Sequence, residues 1–551
     1  MARMTALPAG PALRRRLRWA VSRVMGLPSP TSEFTVHRGL RVPMRDGVDL
    51  IADHYVPDTA APAGTLLVRT PYGLKWPLTS LYGGIYAARG YHVILQSVRG
   101  TFGSGGEFEP IANEVADGHD TAAWLRDQPW FTGTFATIGP SYLGLTQWAL
   151  LADPPPELAA AVITVGPHDF HSVTWGQGAF TVNDFLGWSD AVAHQEDPGR
   201  YQRISRQFRG AKLVTGAANQ VPMGPSAREL LGTRATWYES WLAHPDADDP
   251  YWTSRRMTDA LDRVQVPILL LSGWQDVFLD QTLVQYRRLR DRGQTVAMTI
   301  GPWTHGQMTT RAAGRAGRES LAWLAEHLGH RPSAPRSAVT VHIGHAGWVE
   351  LPDWPPATSA HPLYLGPAGA LTDTAPAPGT ASFTFDPADP TPTIGGRLLS
   401  ALGGYQDDTA LARRADVLTF TGPALTADLT VLGAPVVELA HTSDNPHHDV
   451  FVRLSEVDAK GRSHNVSDGF RRLVGAGSGA LRMELDDIAY RFRAGSRIRL
   501  MVAGGSHPRY ARNLGTDEPA LTGTTMRPAT HTVRLGGDDA SRLLLPVQPT
   551  Q

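Results

Sequence analysis

Short apolar runs alternate with helical patterns through the first 330 residues of the chain. Aliphatic and β-branched runs predict buried strands at 64–70, 91–95, 134–138, 159–165, 266–271 and 296–300. Apolar positions at helical spacing predict helices at 82–89, 114–128, 142–151, 281–292 and 319–328. Strands that are apolar along their whole length and that alternate with helices are typical of a parallel sheet covered on both faces.

The pattern changes in two other regions. Residues 167–263 lose the strands and gain helical segments rich in Trp, Gln, Arg and Asp, which predicts a helical insertion over the active edge of the sheet. From Ala338 onward, beginning with Val339–Ile343, short alternating strands are separated by Pro, Gly, Asp and Thr. That habit is typical of an all-β sandwich or jelly roll. The predicted segments are therefore 1–33 (basic), 34–166, 167–263, 264–336 and 337–551.

The stretch from Thr134 to Gly144 carries the first candidate chemistry. A short strand runs into Gly139-Pro140-Ser141, and a helix follows. A serine between a strand and a helix has the geometry of a nucleophile elbow, in which the helix N-terminus faces a developing oxyanion. The usual pattern has a small residue two places after the serine, whereas this chain has Leu143 there. An ordinary helix cap is the alternative interpretation of Ser141.

Two further residues fall at the ends of later predicted strands, and together with the serine they suggest catalysis. Ser141, Asp276 and His305 follow one another in the chain order of the α/β-hydrolase triad. The serine needs a base, the histidine can accept and return its proton, and the carboxylate can orient the imidazole. The predicted fold is therefore an α/β-hydrolase domain with an inserted helical cap, followed by a C-terminal all-β jelly-roll domain.

An oxyanion hole requires two hydrogen-bond donors near the serine. The backbone N–H of Tyr142 is the natural first donor, and the phenol of Tyr72 at an earlier strand end is the second. Ligands bind at the carboxyl ends of parallel strands, so Tyr72, Arg99 and Ser141 are expected to share one cleft. The alternative for Tyr72 is a half-buried aromatic side chain at a strand end.

Composition narrows the possible partners. The chain has 551 residues, 51 basic and 52 acidic side chains, and a net charge of −1, which gives no electrostatic case for nucleic acid. It has no cysteine, which excludes thiolate metal sites and is compatible with a cytoplasmic location. No apolar stretch is long enough to predict integral membrane association. The basic amphipathic segment 12–26 predicts a packing helix, with a surface-bound helix or a twin-arginine export signal as alternatives.

Five short motifs identify a family resemblance when they are taken together. They are Pro71-Tyr72, Arg99-Gly100, Gly139-x-Ser141-Tyr142-x-Gly144, Gly273-Trp274-x-Asp276 and Gly301-Pro302-Trp303-x-His305. With the segment from Gly461 to Gly469, this combination resembles the CocE/NonD serine hydrolases, the cocaine esterase and X-Pro dipeptidyl-peptidase family. The serine motif of that family has the form G-x-S-Y-x-G, so Leu143 becomes a family feature.

The resemblance implies roles for the site residues and for the substrate. Ser141, Asp276 and His305 would be the triad, Tyr72 and the Tyr142 N–H the oxyanion donors, and no cofactor or metal would be needed. Three aromatic residues would form the acyl pocket, although packing alone could explain them: Trp175, Trp188 and Phe278.

The resemblance implies that α-amino acid ester hydrolases of the family carry carboxylates just after the catalytic Asp to bind a substrate ammonium, where this chain has Val277, Phe278 and Leu279. X-Pro dipeptidyl-peptidases also need an acidic anchor for the N-terminal amine, and the sequence identifies none. We therefore expect a small-molecule ester, or an amide, with an apolar or aromatic acyl group. The alternatives are an X-Pro dipeptidyl-peptidase or amide acylase and, from another class, a non-catalytic binding protein with a vestigial triad. The sequence makes no prediction of oligomeric state.

Overall fold

The computed structural model describes residues 11–197, 199–329, 336–475, 478–537 and 540–549. They form an α/β unit with a helical insertion, followed by an all-β unit, which confirms the predicted fold class. Residues 1–10 of the predicted basic segment lie outside the described residues.

A mixed sheet of ten strands forms the centre of the α/β unit within the described residues. In spatial order its strands are β1 (Phe34–Pro43), β2 (Asp49–Pro57), β4 (Tyr91–Ser97), β3 (Gly64–Thr70), β5 (Phe135–Pro140), β6 (Leu158–Thr164), β7 (Ile268–Gln275), β8 (Val296–Thr304), β9 (Val339–Ile343) and β10 (Gly347–Leu351). The strands from β4 to β9 in that order are parallel. Their carboxyl ends therefore meet at one edge, where a ligand site is expected.

Helices cover both faces of this sheet and bury separate apolar clusters against it. One face packs against α3 (Glu114–Arg126), α4 (Tyr142–Leu151) and α11 (Leu279–Asp291). The other packs against α2 (Ile85–Ala87) and α12 (Ala313–His327). The central strands are buried on both sides, which is why they read as continuous apolar runs in the sequence.

The predicted helical insertion is present between β6 and β7. Its helices are α5 (Phe170–Thr174), α6 (Val182–His194), α7 (Arg200–Ala218), α8 (Met223–Leu231), α9 (Trp237–Ala243) and α10 (Ala260–Arg263). Aromatic side chains of the insertion pack against one another; Phe170, for example, lies 4.8 Å from Trp241 between ring centroids.

Two antiparallel sheets build the all-β unit. The first contains β11 (Ser359–Leu365), β12 (Leu371–Thr372), β13 (Gly379–Phe385), β15 (Leu429–Gly433), β16 (Val436–Ser443), β19 (Ser478–Glu484), β20 (Ile488–Phe492), β22 (Ala529–Leu535) and β23 (Arg542–Val547). The second contains β14 (Val417–Thr421), β21 (Arg497–Ala503), β17 (His447–Val457) and β18 (Ser463–Val474). Apolar residues of both sheets share one buried cluster, as in a β-sandwich.

The first strand that the sequence assigned to the C-terminal unit belongs elsewhere. Val339–Ile343 does form a strand, but it pairs in parallel with β8, and β10 adds to it in an antiparallel hairpin. The central sheet therefore continues past the predicted boundary at 337. Alternating polar and apolar residues predict a strand, but they do not specify which sheet edge it joins.

The basic segment near the N-terminus forms the predicted helix, α1 (Pro11–Val24). The chain just after it packs on the α/β unit: Leu27 is buried, and the carbonyl of Met25 accepts a hydrogen bond from Arg318. Trp19 and Val24 face outward. Among the described residues, no helix combines the length and the apolar character needed to cross a bilayer.

Candidate active site

Ser141 occupies a sharp turn between a strand and a helix. It is the single residue between the end of β5 and the start of α4. Its backbone has φ 59° and ψ −123°, a conformation that residues other than glycine rarely adopt and that the surroundings must hold in place. Its N–H donates to the carbonyl of Thr164 at 2.9 Å, which fastens the turn to β6. This is the geometry of a nucleophile elbow.

Two glycines make room for this turn. A Cβ atom at Gly139 would lie 2.5 Å from the Cβ of Leu143. A Cβ atom at Gly144 would lie 2.6 Å from the Cα of Gly166, just beyond β6. Leu143 therefore fills the space beside Gly139, and Gly144 provides the close approach between helix and strand. The leucine that interrupts the usual serine motif is thus part of the packing of this turn.

Asp276 and His305 form a hydrogen-bonded pair at the ends of β7 and β8. Nδ1 of His305 lies 2.7 Å from Oδ2 of Asp276. The Phe278 N–H donates to the other carboxylate oxygen at 2.8 Å, and Asp276 is fully buried. An ionised carboxylate only accepts hydrogen bonds, so the shared proton lies on Nδ1. An imidazole that carries its proton on Nδ1 keeps a lone pair on Nε2, which can act as a base.

The phenol of Tyr72 contacts both the serine and the helical insertion. Nε1–H of Trp188 donates to its hydroxyl oxygen at 3.0 Å, and the Ser141 side chain lies beside the same hydroxyl. Burial raises the pKa of Tyr72, so the phenol keeps its proton near neutral pH. Because Trp188 occupies the oxygen as an acceptor, the O–H remains available to donate toward the serine.

Tyr142 contributes its backbone and its ring to different places. As the first residue of α4, its N–H has no partner within the helix. Its hydroxyl donates to Glu114 at 2.8 Å and accepts from the Ile111 N–H at 2.8 Å. Its ring stacks on Trp188 with centroids 6.2 Å apart, and burial raises the pKa of Tyr142 well above its usual value. The anchored ring fixes the position of the backbone N–H beside Ser141.

A cavity of about 870 Å³ brings Tyr72, Ser141 and His305 together. The insertion helices α6 and α7 line it from above, and residues 399–402 of the all-β unit complete its wall. Its surface is mostly apolar. The apolar side chains around it include Leu78, Leu143, Val165, Trp188, Val214, Met308, Leu399 and Leu402. The volume and the lining are typical of a site for a small organic molecule.

The three predicted acyl-pocket aromatics have different surroundings. Trp188 lines this cavity. Phe278 is buried with its ring edge-on to His305, at 5.3 Å between centroids, so it supports the histidine from behind. Trp175 lines a second cavity, between the insertion and the all-β unit, and its Nε1–H donates to the carbonyl of Trp241. The structure therefore does not bring Trp175 to the site with Ser141.

Arg99 is also absent from the expected cleft. Its guanidinium pairs with Asp117 at 2.6 Å and Asp46 at 2.7 Å. It therefore ties the loop after β4 to α3 and to the β1–β2 turn. The prediction that Arg99 shares a cleft with Tyr72 and Ser141 is wrong, because its side chain pairs with two acids from other elements.

Sequence reasoning missed two contributors to the cavity wall. The first is Asp184 of α6, which lines the cavity one helical turn before Trp188. Its position four residues from Trp188 in a predicted helical segment was the available signal. The second is the 399–402 segment, for which the sequence offers no local signal because it reaches the site only through docking of the all-β unit. Among the described residues, no group of three or more His, Asp or Glu side chains is arranged to hold a metal ion.

Comparison with known proteins gives matches along nearly the whole chain. Residues 46–307 match the X-Pro dipeptidyl-peptidase (S15) family, and residues 332–544 match the X-Pro dipeptidyl-peptidase C-terminal non-catalytic domain. Cocaine esterase from Rhodococcus sp. (strain MB1 Bresler) is 30% identical, over 93% of this chain and 99% of that protein.

Solved structures of similar fold include an aminopeptidase from a marine sediment archaeon of the Thaumarchaeota and an α-amino acid ester hydrolase. The aminopeptidase has a TM-score of 0.81 and 24% identity, and the ester hydrolase has a TM-score of 0.78 and 22% identity. Each alignment covers 95% of this chain and 98% of the other. At these identities the two structures show a shared fold alone.

Proposed function

The chain belongs to the CocE/NonD family of serine hydrolases, and on that premise we propose that it hydrolyses esters through an acyl-enzyme on Ser141. The protein is an ester-cleaving serine hydrolase by its relationship to cocaine esterase and to the S15 family. The assignment of the individual residues is our proposal. The observation that carries it is the joint arrangement of a strained serine and an Asp276–His305 pair around one cavity.

In the proposed reaction, Nε2 of His305 takes the proton of the Ser141 hydroxyl as its oxygen attacks the acyl carbon. Asp276 holds the imidazole in the required tautomer and stabilises the imidazolium that forms. The Tyr72 O–H and the Tyr142 N–H donate to the negative oxygen of the tetrahedral intermediate. His305 then protonates the leaving alcohol, and water, activated by the same histidine, releases the acid.

We propose an apolar or aromatic small-molecule ester as the substrate class. The mostly apolar cavity, with Trp188 beside the Tyr72 phenol, supports this choice. An X-Pro dipeptidyl-peptidase activity is the second candidate, because the matching family and its C-terminal domain carry that name. A cytoplasmic location is part of the proposal and is compatible with the absence of cysteine.

Covalent labelling with a fluorophosphonate probe tests the nucleophile. We expect one adduct on Ser141 in the folded wild-type protein, and none in Ser141→Ala, which should retain only background hydrolysis. Ser254→Ala, at an exposed serine of the insertion, is the matched control and should label as the wild type does. An adduct on another serine, or full activity in Ser141→Ala, would overturn the assignment.

A substrate panel separates the two candidate activities. Purified protein is offered aryl and alkyl esters of apolar acids beside X-Pro anilides, and kcat/KM is compared. Preference for the esters supports the proposal, whereas faster turnover of the X-Pro anilides would make the protein a dipeptidyl-peptidase.

A further inference from the structure

The cavity above Ser141 contains a buried carboxylate that the proposed mechanism does not use. Asp184 lies on the same face of α6 as Trp188 and Ala191, which also line the cavity. Spacings of four and seven residues place these side chains in one stripe of a helix. Asp184 is therefore held at the cavity wall by the same helix that carries Trp188 over the oxyanion site.

Only one oxygen of this carboxylate is satisfied by the protein. Oδ1 accepts from the Leu399 N–H at 2.9 Å and from the Asn183 amide at 3.4 Å. Oδ2 is buried and has no hydrogen-bond partner among the described residues, while Asp184 as a whole is 2% exposed. A buried acceptor without a partner is costly, and it is costlier still when it carries charge. A ligand that donates a hydrogen bond to Oδ2 of Asp184 would therefore remove this cost.

The other acidic residues around the cavity are already paired. Asp197 forms an ion pair with Arg234, and Asp190 lies 3.5 Å from His194. Arg509, whose charge acts on Asp184, is itself bound to Asp468 at 2.8 Å. Among the described residues that line the cavity, Asp184 is thus the carboxylate without a cation of its own.

We propose that Asp184 is a recognition site for a cationic nitrogen on the substrate, which donates a hydrogen bond to Oδ2. The substrate would be an ester whose acyl or alcohol portion carries a protonated amine, with its apolar remainder against Trp188. This inference rests on the proposed hydrolase function and narrows its substrate class. It also revises the expectation of an apolar acyl group that was drawn from the residues after Asp276, because Asp184 comes from a different element.

The electrostatics of the site favour such a ligand. Burial raises the pKa of Asp184 to about 6, so the carboxylate is mostly ionised above that pH and lies in an apolar cavity. A bound ammonium both supplies the missing donor and offsets the charge. Charge-assisted hydrogen bonds are shorter and stronger than neutral ones, so the cation should be distinguished from an uncharged group of the same shape.

Pairs of isosteric esters test this proposal directly. One pair has the amine on the alcohol: 2-(dimethylamino)ethyl benzoate against 3-methylbutyl benzoate. The other has it on the acid: phenyl 4-(dimethylamino)butanoate against phenyl 5-methylhexanoate. In each pair a protonated nitrogen replaces a CH group. We expect wild-type kcat/KM to favour the cation by about tenfold or more in at least one pair, mainly through KM.

Asp184→Asn keeps the size of the side chain and removes its charge. It should bring the cation-to-isostere ratio of kcat/KM close to one, with the loss on the cationic member. Asp197→Asn is the matched control, because Asp197 lines the same cavity but is paired with Arg234, and it should keep the wild-type ratio. Differential scanning calorimetry or small-angle X-ray scattering checks that Asp184→Asn is folded.

Two results would overturn the proposal: no preference for the cation in either wild-type pair, or a preference that survives in Asp184→Asn. Failure of the hydrolase function itself looks different. In that case the neutral esters are not turned over and Ser141 is not labelled by the fluorophosphonate.

Discussion

The histidine at the cavity and a cluster of three histidines in the all-β unit have opposite chemistry. At the cavity, His305 has a buried carboxylate on Nδ1 at 2.7 Å and is partly open to the cavity. In the all-β unit, His441 and His531 bond to each other at 3.0 Å, and His448 packs beside them. All three are buried. Burial lowers the pKa of His441 to about 4 and that of His531 to about 3.

The difference shows what makes a histidine a base. An imidazole in a catalytic pair needs a carboxylate that fixes its tautomer and stabilises its charge, and it needs a free nitrogen that substrate can reach. The cluster of His441, His448 and His531 has neither, so its rings stay neutral and act as polar cross-links inside the sandwich. His305 should therefore control the rate of ester hydrolysis, and the buried cluster should control the stability of the fold in acid.

The largest expected effect comes from making His305 resemble the buried cluster. Asp276→Asn keeps an acceptor for the Phe278 N–H but removes the charge that orients the imidazole. We expect kcat to fall by about 10⁴-fold, as when the carboxylate of such a triad is lost, with little change in melting temperature. Ester hydrolysis and differential scanning calorimetry measure the two quantities.

Asp259→Asn, at a surface aspartate, controls for the amide substitution in that experiment and should keep full activity. If Asp276→Asn retained wild-type kcat, Asp276 would not be the orienting acid. If Asp276→Asn unfolded the protein, the contrast between His305 and the buried histidine cluster would fail.

A smaller loss is expected at the oxyanion site. Tyr72→Phe removes the phenolic donor next to Ser141 and also leaves the Trp188 N–H without its acceptor. Loss of one oxyanion donor typically lowers kcat by about 10²- to 10³-fold, so KM should change much less than kcat. Tyr82→Phe, outside the cavity, is the control. An unchanged kcat in Tyr72→Phe would remove Tyr72 from this role.

The smallest expected effect is a loss of stability in acid that arises from the buried histidine cluster. The folded-state pKa of His531, about 3, lies below the ordinary value of about 6.5 in an unfolded chain. Below pH 6.5 the unfolded chain therefore binds the extra proton first, and stability falls as the pH drops towards 3. For one such histidine this loss is about 2 kcal/mol between pH 7 and pH 5.

His531→Gln should reduce that loss by about 2 kcal/mol, although it costs some stability at pH 7 by removing the bond to His441. Urea unfolding at pH 5 and pH 7, followed by a probe in the all-β unit, measures the difference. His447→Gln changes a partly exposed histidine on β17, next to His448, and should leave the pH dependence as it is. An equal loss of unfolding free energy in the wild type and in His531→Gln would mean that His531 does not determine the stability in acid.

Much of the fold could be predicted because its signals are local. Buried strands such as 64–70 and 268–275 are continuous apolar runs. Tyr72, Ser141, Asp276 and His305 each lie at the carboxyl end of one of four such parallel strands. A strand end is fixed by the few residues around it, so order along the chain was enough to propose the triad. The starts of helices were predicted less accurately than the ends of strands. Helix α12 starts at Ala313, six residues before the predicted start at 319.

What the sequence determined by itself was the set of elements and the residues able to do the chemistry. Only the tertiary structure decided which of them meet. It paired Val339–Ile343 with β8, drew Arg99 to Asp117, and turned Trp175 into a separate cavity. It also set Asp184 beside the Leu399 N–H, 215 residues away, at the wall above Ser141. Such contacts depend on how helices and sheets pack over long separations, and no short window of sequence encodes them.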